Sequence, residues 1–323
     1  MSSWIRLLLV ALLLQIGLVL FFQIQDKELA VYEGGDQLLP IEFDSVSRIE
    51  ITQPEKETLI IAKKDSKWVL PEKKDFPVSE TRIEELKNEI FEIKRPWPAG
   101  STSAAAKKFE VEKDNFRTKL SFHNDQSDIA TLYFGSSPGF RKVHARLSGE
   151  DVIYSLDLHA HQINAEEGPW LDRQLLRVAR EDIKGLELNN FTLELEGETI
   201  TLTELPEDYD LSQQRAESVL RMSSGVNFTE FLGGEDHEKY FSKEDATFSY
   251  SIKTREDADI TISYKEDGEE EILLRSSLYP FLFKASKSQF ENIQKLTKED
   301  LIEKEESLAE DQSDQDSTQE DDS

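Results

Sequence analysis

Val46-Ser47-Arg48-Ile49-Glu50-Ile51 alternates apolar and polar residues, and Ile183-Lys184-Gly185-Leu186-Glu187-Leu188 repeats the pattern. A period of two places every second side chain on one face of a β-strand. Both stretches open the same series of signals. Short β-like runs follow at Thr58 to Ala62 and Lys67 to Leu70, and again at Thr192 to Leu195 and Thr199 to Thr203. Pro71 and Pro206 close them. A helical pattern comes next. In the first series Ser79 is a candidate N-cap, and Ile83, Leu86, Ile90 and Ile93 recur at helical spacing. In the second, Leu211 to Met222 occupies that place with a thinner stripe of Ala216, Val219 and Leu220.

Strands then return in both halves. Phe116 to His123 and Ile129 to Phe134 flank Asn124-Asp125-Gln126, as Phe248 to Thr254 and Ile260 to Tyr264 flank a polar turn. Val143 to Leu147 and Val152 to Leu156 flank Ser148-Gly149-Glu150. Glu266-Asp267-Gly268 leads to Ile272 to Arg275 and Tyr279 to Phe283. Short helices are expected at Leu158 to Ile163 and Ser286 to Leu296. Matched positions stand 137 residues apart at Val46 and Ile183, 132 at Phe116 and Phe248, and 130 at Ile163 and Ile293. A duplicated unit with small loop deletions drifts in this way. The expected fold class is α+β. An N-terminal transmembrane helix precedes two similar units, each an antiparallel sheet with a covering helix.

Residues 4–24, from Trp4 to Ile24, form the one long apolar run. A helix of roughly 21 residues spans the ~30 Å hydrocarbon core of a bilayer. The run is longer than a signal-peptide core. Its exit offers no small-residue cleavage pair until Ala30, where Glu28 stands in the wrong place. An uncleaved anchor is therefore expected. Arg6 and the α-amino group precede the run, and Asp26, Glu28, Glu33 and Asp36 against Lys27 follow it. That asymmetry puts the N-terminus in the cytoplasm and the bulk outside, in the periplasm of an inner-membrane protein. Gln15 and Gly17 interrupt the run and are candidate contacts to a partner helix.

The expected divisions are a cytoplasmic start at 1–3, the anchor at 4–24, a stalk at 25–40, a first unit at 41–168 and a bridge at 169–182. A second unit follows at 183–298, then a helix end and acidic tail at 299–323. The bridge carries Trp170 and lacks a Gly/Ser run, so it reads as packed and Trp170 as a partner-contact candidate. The tail from Glu305 is too polar to offset chain entropy by burial.

The 323 residues hold 38 Lys plus Arg against 66 Asp plus Glu, a net charge of −28. Such a surface repels nucleic acid, which is excluded as a partner. There are no cysteines, so disulfides, thiolate zinc sites and cysteine nucleophiles are excluded.

Chemistry is hard to find. His159 and His161 form an H-x-H pair that on a strand would share a face and could share a metal. No third ligand stands at a fixed spacing, so a solvated polar surface is preferred. Gly135-Ser136-Ser137-Pro138-Gly139 precedes a strand rather than a helix and suits a hairpin connection better than a phosphate cradle. The acidic turns near Glu256 and Glu266 do not match a calcium loop. Asn190-Phe191-Thr192 and Asn227-Phe228-Thr229 fit the glycosylation pattern, a common chance match. No catalytic motif and no cofactor is implied. Trp97, between Pro96 and Pro98, is a partner-contact candidate as an aromatic in a loop.

The order of pieces in the first unit resembles the domain of unknown function 4340 family of bacterial proteins. The pieces are Val46 to Ile51, Ser66-Lys67-Trp68-Val69-Leu70, the helix at Ile83 to Ile93, Leu132-Tyr133-Phe134-Gly135, His144-Ala145-Arg146, Val152 to Leu156 and Trp170-Leu171-Asp172-Arg173. The resemblance covers residues 40–180 well and the second unit less. The chain departs from it at Phe109-Glu110-Val111, and the second unit has no counterpart of Trp68. Members often carry an N-terminal anchor and are often encoded beside an ABC-type exporter of the gliding-motility kind. The resemblance thus implies a non-enzymatic accessory subunit whose partner is an ABC-type permease. The alternatives are an envelope hydrolase using carboxylates, and a solute-binding module.

Overall fold

The computed structural model describes Trp4, Leu12, Gln15 and residues 35–159, 163–234, 241–256, 258–268 and 270–304. Trp4, Leu12 and Gln15 are helical and exposed. The rest of the expected anchor, Gly17, most of the stalk, His161 and the acidic tail lie outside the described residues. Among the described residues, no helix is long and apolar enough to cross a membrane.

The chain forms a mixed α/β fold of antiparallel sheets. Its elements begin with β1 (Arg48–Thr52), β2 (Leu59–Lys64), β3 (Lys67–Leu70), β4 (Phe76–Pro77), α1 (Glu80–Phe91), β5 (Pro98–Gly100) and α2 (Ser103–Phe109). There follow β6 (Val111–Glu112), β7 (Asn115–Phe116), β8 (Thr118–His123), β9 (Asp128–Phe134), β10 (Lys142–Leu147) and β11 (Ile153–Asp157). Next come β12 (Ile183–Leu188), β13 (Phe191–Glu196), β14 (Thr199–Leu202), β15 (Tyr209–Leu211), α3 (Gln213–Ser224) and β16 (Glu230–Gly233). The last are β17 (Phe248–Thr254), β18 (Asp259–Asp267), β19 (Glu271–Ser276), β20 (Leu282–Ala285), α4 (Lys287–Gln294) and β21 (Ile302–Lys304).

One sheet runs β4-β3-β2-β1-β8-β9-β10-β11-β5 and the other β14-β13-β12-β17-β18-β19-β20-β16. From β3 and β14 onward the two orders correspond strand for strand. The correspondence reaches single residues. Glu50 pairs with Ser121, Ser121 with Thr131, and Ser148 N donates to Thr131 O at 2.8 Å. In the other sheet Glu187 pairs with Ser251, Ser251 with Thr261, and Ser277 N donates to Thr261 O at 2.9 Å. Each sheet also ends in a register shift beside a glycine, at Ile153 and Gly100 in one and at Leu282 and Gly233 in the other.

Alternation explains which face is covered. In the first unit Ile49, Ile51, Leu120 and Phe122 are fully buried, while Glu50 between them is not. Helix α1 buries Ile83, Leu86, Ile90 and Phe91. The Phe91 ring meets Phe122 at 5.0 Å and Phe43 at 5.1 Å. In the second unit α3 buries Ala216, Val219 and Leu220, and the buried Tyr250 hydroxyl donates to Ser223 O at 2.6 Å. Burial pushes the Tyr250 phenol well above its usual range. The β8–β9 turn closes through Asn124 Oδ1, which accepts from Gln126 N at 2.9 Å and Ser127 N at 2.8 Å.

The chain divides into two compact units, residues 1–68 with 80–170 and residues 69–79 with 171–323. Residues 69–79, which lie inside the expected first unit, thus belong to the second. Their anchor is Phe76, fully buried, with ring centroids 4.6 Å from Phe231, 5.1 Å from Phe281, 6.0 Å from Phe228 and 6.2 Å from Phe283. This cluster also corrects the strand expected at Tyr279 to Phe283. That strand is Leu282–Ala285, because Pro280 has no N–H for a ladder and Phe281 turns into the cluster. Leu158 and His159, placed in a short helix by the sequence, are not helical.

Phe76→Ala is expected to cost about 3–5 kcal/mol in urea unfolding, as a buried ring with aromatic neighbours on several sides leaves a cavity that cannot collapse. Tyr250→Phe is expected to cost about 1 kcal/mol by the same measurement, through the lost bond to Ser223.

Candidate functional site

The residues that carry the family resemblance in β9 and β10 meet at one place in the first unit. Gly135 ends β9. A Cβ there would stand 1.9 Å from Phe109 O and 2.5 Å from Glu110 O, so only glycine lets the end of α2 come this close. Ser136 N then donates to Phe109 O at 2.8 Å, and Gly135 N donates to His144 O at 2.9 Å. Glu110 turns the chain out of α2 with φ 57°.

His144 on β10 is buried and stacks on Phe109 with centroids 4.0 Å apart and planes 16° from parallel. Its Nδ1 lies 2.9 Å from Ser136 O and 3.2 Å from Ser136 Oγ. A carbonyl can only accept, so Nδ1 carries the proton. Burial lowers the pKa of the imidazole; the Ser136 carbonyl opposes this and Lys108 adds to it. Two residues on, Arg146 donates from Nε to Val111 O at 2.7 Å and from Nη1 to Glu150 O at 3.0 Å, with its guanidinium 5.2 Å from the centre of the Tyr133 ring. Nearby, Arg95 grips Glu150 with two bonds of 2.8 and 3.1 Å and reaches the Tyr154 hydroxyl at 3.3 Å. The Glu150 hydrogen bond raises the Arg95 pKa further. These side chains tie α2 and the β6 strand to the sheet. Chemically the site offers an imidazole beside a hydroxyl.

The remaining candidates scatter. His159 lies with its ring edge toward Phe140, centroids 6.4 Å apart. Among the described residues no group of three or more His, Asp or Glu is placed to hold a metal ion. His123, at the end of β8, has Nδ1 2.5 Å from Asp128 Oδ1. Trp97 is exposed, in keeping with its place between prolines. Trp170 is fully buried within the first unit: Nε1 donates to Asn164 O at 3.3 Å, and the Arg82 guanidinium lies 4.9 Å from the ring centre. A ring without exposed area presents nothing to a partner, so Trp170 is a core residue in this fold.

Sequence patterns give no signal for the depressions of the second unit, which are assembled from residues far apart in the chain. One of 590 Å³ is lined by Arg180, Glu198, Glu217 and Arg255, with Arg180 Nε 3.3 Å from Glu217. Another of 360 Å³ sets Arg177 and Arg255 beside an apolar floor of Val178, Ile260 and Leu278.

His144 gives a pH signature. In the unfolded chain its pKa is about 6.5, and the fold lowers it, so below that pH the unfolded state binds more protons. Stability is then lost as pH falls from about 7.5 toward 5. The unfolding free energy of His144→Gln is expected to fall less over that range; an equal slope in both proteins would remove His144 as the cause.

No curated protein and no solved structure matches the chain. Residues 68–244 match the family described as a domain of unknown function (DUF4340). The match starts at Trp68, after the Val46 to Ile51 stretch, and runs into the second unit. It spans more than half of the chain, from the strand that carries Trp68 through the His144 and Arg146 ties. The chain belongs to the DUF4340 family.

Proposed function

We propose that this chain is a non-enzymatic accessory subunit, anchored in the inner membrane by residues 4–24 with its bulk in the periplasm, whose two sheets bind another membrane or envelope component. An ABC-type permease is the partner implied by the family resemblance. The observation that carries this reading is the pair of terminal strands β5 and β16. Each is the last strand in its sheet order and each is shifted in register beside a glycine. An edge strand leaves backbone N–H and C=O groups to pair with an added strand. The bulge keeps each edge short, which disfavours open-ended self-association and suits a short partner segment. The matching rows from Glu50 to Ser148 and from Glu187 to Ser277 support an origin of the two units by duplication, each a sheet with one covering helix.

A solute-binding module is the second reading. The 360 Å³ depression favours it, since Arg177 and Arg255 with Asp182 and Glu256 beside apolar Val178, Ile260 and Leu278 suit a solute that carries both charges.

Crosslinking followed by pull-down from native membranes is expected to recover a membrane-protein partner. Disrupting the β5 edge with Ala99→Pro is expected to weaken that recovery. Failure to recover any membrane partner, together with substrate turnover by the purified protein, would overturn the accessory reading in favour of an envelope enzyme.

A further inference from the structure

Two large aromatic side chains stand out in water on the first unit, Trp97 at 76% exposure and Phe140 at 89%. Strand registers put them at one corner. Pro98 of β5 pairs with Tyr154 of the antiparallel β11, so Trp97 continues toward the Asp157 end of that strand. Lys142 pairs with Asp157, and Arg141 O accepts from Leu158 N at 3.1 Å, so Phe140 lies just past the same end. At about 3.3 Å per residue along a strand and two strand spacings of about 4.8 Å across, the two positions are separated by on the order of 15–20 Å.

The chain joins the unit beside Trp97. Gln37 pairs antiparallel with Lys94, and Arg95 N donates to Asp36 O at 2.9 Å. The Arg95 guanidinium adds a bond from Nε to Gln37 O at 3.3 Å. Continuing this register by one residue sets Gly35 opposite Pro96, beside Trp97. Residues 25–34 are all that separate the apolar run from Gly35, and ten residues reach at most about 36 Å. A span at 4–24 would therefore tether this corner close to the head groups. Lys94, Arg141 and Lys142 flank the aromatics, interspersed with Asp36 and Asp157. Lys142 shares its charge with Asp157 at 3.1 Å. Aromatic rings flanked by Lys and Arg are the side chains that settle at the boundary between head groups and acyl chains.

We propose that Trp97 and Phe140 dip into the interface of the bilayer that holds residues 4–24, fixing the first unit against the membrane surface. The occupant of this corner is a lipid surface. The proposal rests on the anchor reading and adds a second, independent contact to it.

The absence of cysteine allows single labels. Trp97→Cys and Phe140→Cys, each carrying an environment-sensitive nitrobenzoxadiazole dye, would be placed in the full chain in phosphatidylcholine vesicles. Asp125→Cys, exposed at the β8–β9 turn at the other end of the sheet, serves as the control. The expected result is a blue shift and loss of emission with doxyl-labelled lipid at 97 and 140 but not at 125. Labels at 97 and 140 as open to aqueous iodide as the control would overturn the proposal. Labels shielded from iodide without lipid quenching would overturn it too, and would assign the corner to a protein contact. A carbonate wash reads the anchor separately. Release of protein whose labels were lipid-quenched removes the anchor and keeps the aromatic contact. Retention with wet labels keeps the anchor and removes the contact.

Discussion

The ring of Phe76 is the constraint on which the second unit depends. Phenylalanines from β16, from β20 and from the segments before them close around it. Neighbouring backbone holds the segment in register: Val78 pairs with Leu171, and Asp172 N donates to Pro77 O at 3.1 Å. Yet residues 69–79 come before most of the first unit in sequence. A cut at Leu171 would leave the second unit without its central ring and with several apolar side chains open to water. The two halves of the sequence are therefore not two separable halves of the core. Burial of one side chain from a distant segment outweighs the chain-entropy cost of the long excursion, because that cost grows only with the logarithm of loop length.

The repeated rows show what a period of two can conserve when the core cannot. The inward positions differ between units: Leu120 corresponds to Tyr250 and Phe134 to Tyr264 under the same pairing. Inward volumes must change together, since each neighbour fills the space another leaves. Outward positions face no such coupling. Ser121 beside Thr131 and Ser251 beside Thr261 keep the same residue types in register, and Thr131 Oγ1 donates to Ser121 Oγ at 3.1 Å. The glycine beside the register shift at each terminal strand belongs to the same class, since it answers to local backbone geometry alone.

This distinction also sets what was legible in the sequence. Lys67–Leu70 and Phe248–Thr254 are strands over the bounds that alternation gives, and the Asn124 turn closes as its side chain dictates. Helix α1 follows from the spacing of Ile83, Leu86 and Ile90, though Ile93 falls beyond its end. Where tertiary contacts decide, local pattern fails. Tyr279 to Phe283 looks like a strand because aromatic residues favour strands, but Phe281 is claimed by the cluster around Phe76. Trp170 reads as packed in the bridge and is fully buried, but the partners that hold its ring, Arg82 and Asn164, have no local signal. The need for glycine at 135 is set by Phe109, far off in the chain, and only the fold reveals it. Phe140 escapes the sequence for the opposite reason: a lone aromatic in a Gly/Pro loop looks like any hairpin connection until its exposure is known.

The candidate site carries the same lesson toward function. Gly135, His144 and Arg146 are among the residues that carry the family resemblance: Gly135 lies against the Phe109 carbonyl, His144 stacks on the Phe109 ring, and Arg146 bonds to the Val111 carbonyl. Val111 O, Ser136 O and Glu150 O accept from the Arg146 and His144 side chains. Such bonds to carbonyls hold regardless of the neighbouring side chains, so they fix an architecture without fixing a ligand. Family membership thus speaks to the sheet and its ties. The surfaces outside those ties, where Trp97 and Phe140 are exposed on the first unit, answer to no such constraint.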